Sequence, residues 1–174
     1  MLVVAILELI APTGPLTALA ALAAAGVHGL RLSGWRGERV MNQPILWVLH
    51  IGYGWLVIGL ALKGLAALAP AAVPPTVALH ALTAGAIGTL TLGMMTRVGL
   101  GHTGRMLEVS RPIAISYLLI ILAAVLRTAG PLLAPEITDR VMRTSGMLWL
   151  VAFGVFFVTY LPILTSPRPD GRPG

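Results

Sequence analysis

Residues 80–105 read HALTAGAIGTLTLGMMTRVGLGHTGR, and the fold follows from how this stretch is interpreted. It is apolar over a length that crosses a bilayer, yet it carries His80 near its entry, Met94, Met95 and Arg97 toward its exit, and His102 in a glycine-rich turn. Read as a helix at about 100° per residue, His80, Thr83, Ile87, Thr91 and Met94 share one stripe, while Ala81, Gly85, Thr89 and Gly93 form a ridge of small residues. The first stripe is suited to a ligand or cofactor. The second is suited to close contact with another helix.

The rest of the chain repeats this apolar character. Of its 174 residues 57% are hydrophobic and only 10% are charged, and the mean hydropathy is +0.90. A soluble domain does not need so much apolar sequence, whereas a protein with several membrane spans does. Four more spans are expected: Leu16 to about Leu32, Pro44 to about Leu68, Pro112 to about Thr128, and Val141 to about Leu164, with the quoted stretch belonging to a span from Pro75 to about Arg97. Two of them open with proline at the first turn, where a missing N–H does no harm. The N-terminal MLVVAILELIAPTGP is too short to cross a membrane alone and carries Glu8, so it predicts a partial helix, as in a truncated span. No segment alternates with a period of two. The expected fold is therefore all-α: a polytopic transmembrane helix bundle over residues 1–165, with about five full spans plus a partial N-terminal helix, and a polar tail over 166–174.

The net charge is +6, but the basic residues stand singly at span ends and not in a patch interleaved with aromatics, which argues against nucleic acid. They are orientation signals. Arg31, Arg36, Arg39, Arg97, Arg105, Arg111, Arg168 and Arg172 fall on one side, against Lys63, Arg127, Arg140 and Arg143 on the other, beside Glu136 and Asp139. The positive-inside rule then places the 35–43 loop, the GLGHTGR turn and the C-terminal tail in the cytosol.

The chain has no cysteine, which excludes thiolate haem ligation, iron–sulfur clusters, covalent c-type haem and cysteine-based zinc sites. Any metal must use histidine, methionine, carboxylate or tyrosine. Imidazole within a span marks a functional site by default, because its nitrogens need partners there. His50 lies roughly 9 Å into its span, with Tyr53 and Gly54 on the same stripe; the glycine offers a flat macrocycle an approach to the backbone. His80 and Arg97 are roughly 26 Å apart along their helix, so His80 and His102 belong to two different sites unless the turn folds back. The alternative for each histidine is a simple hydrogen bond to a carbonyl or hydroxyl, and for His28, near an interface, that alternative is preferred. Met94 and Met95 offer thioethers suited to Cu(I), or else pack. Arg97 and Arg105 offer charge-assisted contacts to haem propionates or an anionic substrate, or else are ordinary loop arginines. Gly99, Gly101 and Gly104 spell GxGxxG but follow a membrane helix and not a strand, so they are turn and close-approach positions. No nucleophile–base pair or carboxylate dyad stands out.

Three blocks carry a resemblance: LWVLHIGYGWLVIGL at 46–60, LHALTAGAIGTLTLGMMTRVGLGHTGR at 79–105 and YLPILTSPRPDGRPG at 160–174. Together they resemble the NnrS family of bacterial membrane proteins, the HTGR turn after MMTRV being the most specific part. The resemblance implies a polytopic protein of the bacterial inner membrane, associated with haem and with copper. It further implies a role in denitrification and in protection against nitric oxide and nitrosative stress, with nitric oxide as a ligand; it does not name a reaction. His50, His80 and His102 become the candidate metal ligands, with Tyr53, Arg97 and Arg105 as cofactor contacts and Met94 and Met95 as further metal ligands. Family members have roughly twice as many spans, and the chain matches their C-terminal half. An N-terminal half-protein or a second copy is therefore an expected partner, besides the lipid bilayer. A second reading of a different class stays open: a half-size transporter or channel subunit, without a redox centre, for a small solute or anion.

Overall fold

The computed structural model describes residues 1–169 and 171, so Arg172 of the expected cytoplasmic charge set and part of the polar tail lie outside the described residues. Six helices account for nearly everything described. They are α1 (Leu2–Ile10), α2 (Pro15–Ser33), α3 (Pro44–Leu68), α4 (Pro75–His102), α5 (Arg111–Leu133) and α6 (Thr138–Thr165), with short 3-10 turns at Gly37–Val40 and Pro135–Ile137. Five helical segments, α2 to α5 and Pro135–Thr165, are long and apolar enough to cross a membrane. The chain is a multi-pass membrane protein, with α1 as the partial N-terminal helix.

Several helices run past their expected ends for identifiable reasons. In α4 the helix continues beyond Arg97 to His102, because its stop signal is Gly104, whose φ of 68° closes the last turn. The Arg105 N–H reaches the Leu100 carbonyl at 2.9 Å and the Gly104 N–H reaches Gly101 at 3.2 Å, the two bonds of a Schellman cap. The GxGxxG string is thus a helix terminus. Gly104 makes the turn and Gly99 lets Tyr160 approach, a Cβ there meeting its ring at 3.0 Å. Helix α5 continues through Pro131, which sits close enough to the C-terminal end for the lost hydrogen bond to be tolerated. At the other end of the chain, Glu8 forms an ion pair with Lys63 that ties α1 to α3.

Helix α4 is the centre of the bundle. Some 56% of its most apolar stretch is buried, against 17–39% for the other spans. The small-residue ridge explains how. Cβ atoms on Gly85 and Gly93 would meet Trp55 at 2.6 Å and Val48 at 2.9 Å, while Cβ atoms on Gly52 and Gly59 of α3 would meet Leu90 at 2.8 Å and Leu82 at 2.6 Å. Each helix thus receives the other's large side chains where it has only hydrogen, so the two backbones approach closely. On the other side of α4, a buried polar knot holds α5 and α6. Thr96 donates to the Gly93 carbonyl at 2.7 Å, its hydroxyl pairs with Tyr117, and Tyr160 donates to the Thr96 carbonyl at 3.1 Å.

One feature of α4 departs from an ideal helix. Ala81–Ile87 is π-helical, and the Gly88 N–H bonds the Thr83 carbonyl five residues back. Runs of alanine and glycine here allow the wider turn, which begins immediately after His80. Such segments concentrate at functional sites.

Candidate functional site

His50 and His80 each bury one ring nitrogen without a partner. The Nδ1 of His50 donates to the Leu46 carbonyl at 3.0 Å, one turn back on α3, and its Nε2 is buried without a partner. In His80 it is Nδ1 that is buried without a partner, on a ring that stands beside Arg127 of α5. Pro131, having no N–H, leaves the carbonyl four residues earlier, that of Arg127, free of its usual helical bond. In His50 one nitrogen is fixed as a donor, so the other carries a lone pair with nothing to accept from. A carbonyl holding the remote nitrogen is the usual support of a metal-ligating imidazole. Unsatisfied buried polar atoms are otherwise rare and costly.

A row of rings extends from His50 toward α2. Trp35 lies edge-on to His50 at 5.5 Å between centroids and tilted against Tyr53 at 4.5 Å. Tyr53 then meets His28, its hydroxyl 2.6 Å from Nδ1. His50 is also covered by the 3-10 turn, where a Cβ on Gly37 would stand 3.3 Å from the imidazole. Leu32, Ser33, Gly37, Glu38, His50 and Ile51 line a shallow, open depression of about 330 Å³. The open side of Gly54, expected to admit a macrocycle, faces Leu32 of α2 at 3.8 Å.

His80 lines a second cavity of about 380 Å³ together with Thr83 and Ala84 from the π-helical segment, Arg127 from α5 and Trp149 from α6. Because Gly93 packs on Val48, Gly52 on Leu90 and Gly59 on Leu82, α3 and α4 run antiparallel with His50 level with about Thr91. His80 therefore lies roughly eleven residues, or about 16 Å, from His50 along the bundle axis, and His102 a similar distance the other way. No two of these three histidines share one metal ion within the chain. Among the described residues no three His, Asp or Glu side chains cluster around a metal-sized space.

The remaining candidates are dispersed. His102 is exposed at the end of α4, its carbonyl accepting from Arg168 at 2.9 Å. Arg105 bonds the Thr103 carbonyl at 3.3 Å, so it serves the turn itself. Met94 and Met95 are 45% and 39% exposed on the outer face of α4, two turns from His102. With exposed Thr83, Ile87 and Thr91, Met94 extends the stripe read from the sequence as a ligand face, and that stripe faces outward. His28 makes the simple hydrogen bond to a hydroxyl that its place near an interface favours, with Tyr53 as its partner. Three neighbours of the two imidazoles have no such signal: Trp35 reaches His50 and Tyr53 from beyond the end of α2, a contact with no local spacing to announce it. Arg127 was legible as a guanidinium inside a span but was counted only as an orientation charge, and Trp149 only as part of an aromatic run.

The model of a family described as "NnrS protein" matches residues 1–168. No curated protein and no solved structure matches the chain.

Proposed function

The chain belongs to the NnrS protein family, and from that premise we propose that it is an inner-membrane haem protein of the nitric oxide and nitrosative stress response that accompanies denitrification. The observation that carries the proposal is the pair of buried, unpartnered ring nitrogens, Nε2 of His50 and Nδ1 of His80, the first on an imidazole whose other nitrogen is held by a backbone carbonyl. The residues fit the group: His50 or His80 would hold a haem iron through its unpartnered ring nitrogen, and bound haem would supply an iron able to take up a diatomic ligand. The chain's own part is to fix the ring, exclude water and hold the lone pair in place. At His50 the Leu46 carbonyl sets the tautomer, while Trp35 and the Gly37 turn shield the ring. Copper is the secondary cofactor in this proposal, with Met94 and Met95 as its soft donors; their outward position supports a site that a second bundle would complete. That bundle is a second copy or an N-terminal half-protein packing on the exposed face of α4.

Metal analysis of the purified protein tests the proposal. Haem is expected at close to one equivalent per chain, falling at least tenfold in His50→Ala or His80→Ala. Folded protein that is colourless and metal-free in every preparation contradicts it.

A further inference from the structure

The cavity beside His80 has a chemistry that a haem ligand alone does not require. Arg127 sits in α5 about six residues from its end, roughly 9 Å within the span. Its guanidinium is permanently charged and carries five donors, a costly group inside a membrane unless paired. Yet Glu8 pairs with Lys63, elsewhere in the fold, and among the described residues no carboxylate reaches Arg127. No Asp or Glu lines the cavity either. Lining the cavity with Arg127 are His80, whose Nδ1 is buried without a partner, and the Trp149 indole, whose nitrogen only donates and stands 3.3 Å from a Cβ built on Gly88. The Thr83 hydroxyl has already given its proton to the Leu79 carbonyl at 2.8 Å. The small Ala84 side chain and the wide π-helical turn leave room at the centre, and Thr83 and Trp149, both exposed, show that the cavity opens on the outer face of the bundle.

We infer that Arg127 and Trp149, beside His80, bind an oxoanion of the carboxylate or phosphate class at this opening between α4, α5 and α6. A guanidinium fork takes two oxygens of such a group at once, and the indole N–H adds a third directed contact. The anion supplies the negative charge that the span otherwise lacks. Its source is a small free ion or the phosphate of a lipid headgroup, and both present the same oxygens. The site goes beyond the haem reading and does not depend on it, because Arg127 needs a counter-anion whether or not His80 holds iron.

Carbon-13 formate is the probe, and the line width of its NMR signal is followed in titrations of the full chain in lipid-free detergent. Saturable broadening is expected, with affinity reduced at least tenfold in Arg127→Gln and several-fold in Trp149→Phe, which keeps the ring contact and drops the indole donor. Arg143→Gln, an exposed arginine whose Nε bonds the Asp139 carbonyl on the same side, is expected to bind like the unaltered chain. Repeating the titration in nanodiscs identifies the source. Weaker formate binding in anionic lipid than in zwitterionic lipid assigns the site to a headgroup phosphate, and equal binding assigns it to a free ion. No saturable broadening, or the same affinity in Trp149→Phe and in Arg127→Gln as in the unaltered chain, overturns the inference. Formate binding by protein devoid of haem upholds the anion site while counting against the haem proposal, so the two fail separately.

Discussion

The Tyr53 hydroxyl stands 2.6 Å from Nδ1 of His28, joining α2 to α3 by a side-chain hydrogen bond between residues 25 apart in the chain. Both rings also belong to the row that ends on His50, since Trp35 packs against Tyr53 and His50 alike. Tyr53→Phe keeps the ring and removes the hydroxyl, leaving a half-buried imidazole nitrogen unsatisfied. The cost expected is about 1–3 kcal/mol. Because the two residues are directly bonded, Tyr53→Phe and His28→Leu together are expected to cost less than the sum of the single changes, by about 0.5–3 kcal/mol. Thermal unfolding in detergent measures both. Strict additivity shows that the bond contributes nothing.

Trp55 and Gly85 make the second prediction. A Cβ at Gly85 would stand 2.6 Å from the indole, and Trp55 is itself enclosed by Ala81, Ala86 and Ala124. Gly85→Ala is expected to destabilise by about 1–3 kcal/mol through overpacking. Gly154→Ala in α6, where a Cβ meets nothing within 4 Å, is expected to be neutral or to stabilise by about 0.4–1 kcal/mol. Equal unfolding temperatures for the two variants contradict the close approach of α3 and α4.

Orientation is the third. With no cysteine in the chain, single cysteines report sidedness without a background to remove. Arg39→Cys in the turn after α2 and Arg140→Cys at the start of α6 lie at opposite ends of the spans. In intact cells an impermeant maleimide is expected to label Arg140→Cys and to spare Arg39→Cys until the membrane is opened, as the positive-inside rule requires. The reverse pattern inverts the topology.

Much of the fold was legible because membrane spans announce themselves by length and composition. The five spans and the small-residue ridge of α4 follow from hydropathy and a helical period, and Gly85 and Gly93 lie where that period puts them. Helix ends were less legible. Helix α4 stops at Gly104 and not at Arg97, since a lone arginine does not end a helix and a left-handed glycine does. The site was the least legible part. His50 and His80 stand out as polar rings in apolar sequence, but what supports them does not. No local spacing brings Arg127 of α5 beside His80, and the π-helical turn after His80 has no signature in an ideal-helix projection. The polar stripe was legible as a stripe, whereas its outward direction depends on which face of α4 the glycines give to α3.

The account turns on Nε2 of His50 as a ligand atom, held ready by the Leu46 carbonyl on the other side of the ring. Its most direct test is the absorption spectrum of purified His50→Gly recorded before and after adding free imidazole. The unaltered chain is expected to show a Soret band, the variant to have lost or shifted it, and imidazole entering the vacated space to restore the original position. A Soret band unchanged by His50→Gly, with or without imidazole, contradicts the assignment of His50 as an iron ligand.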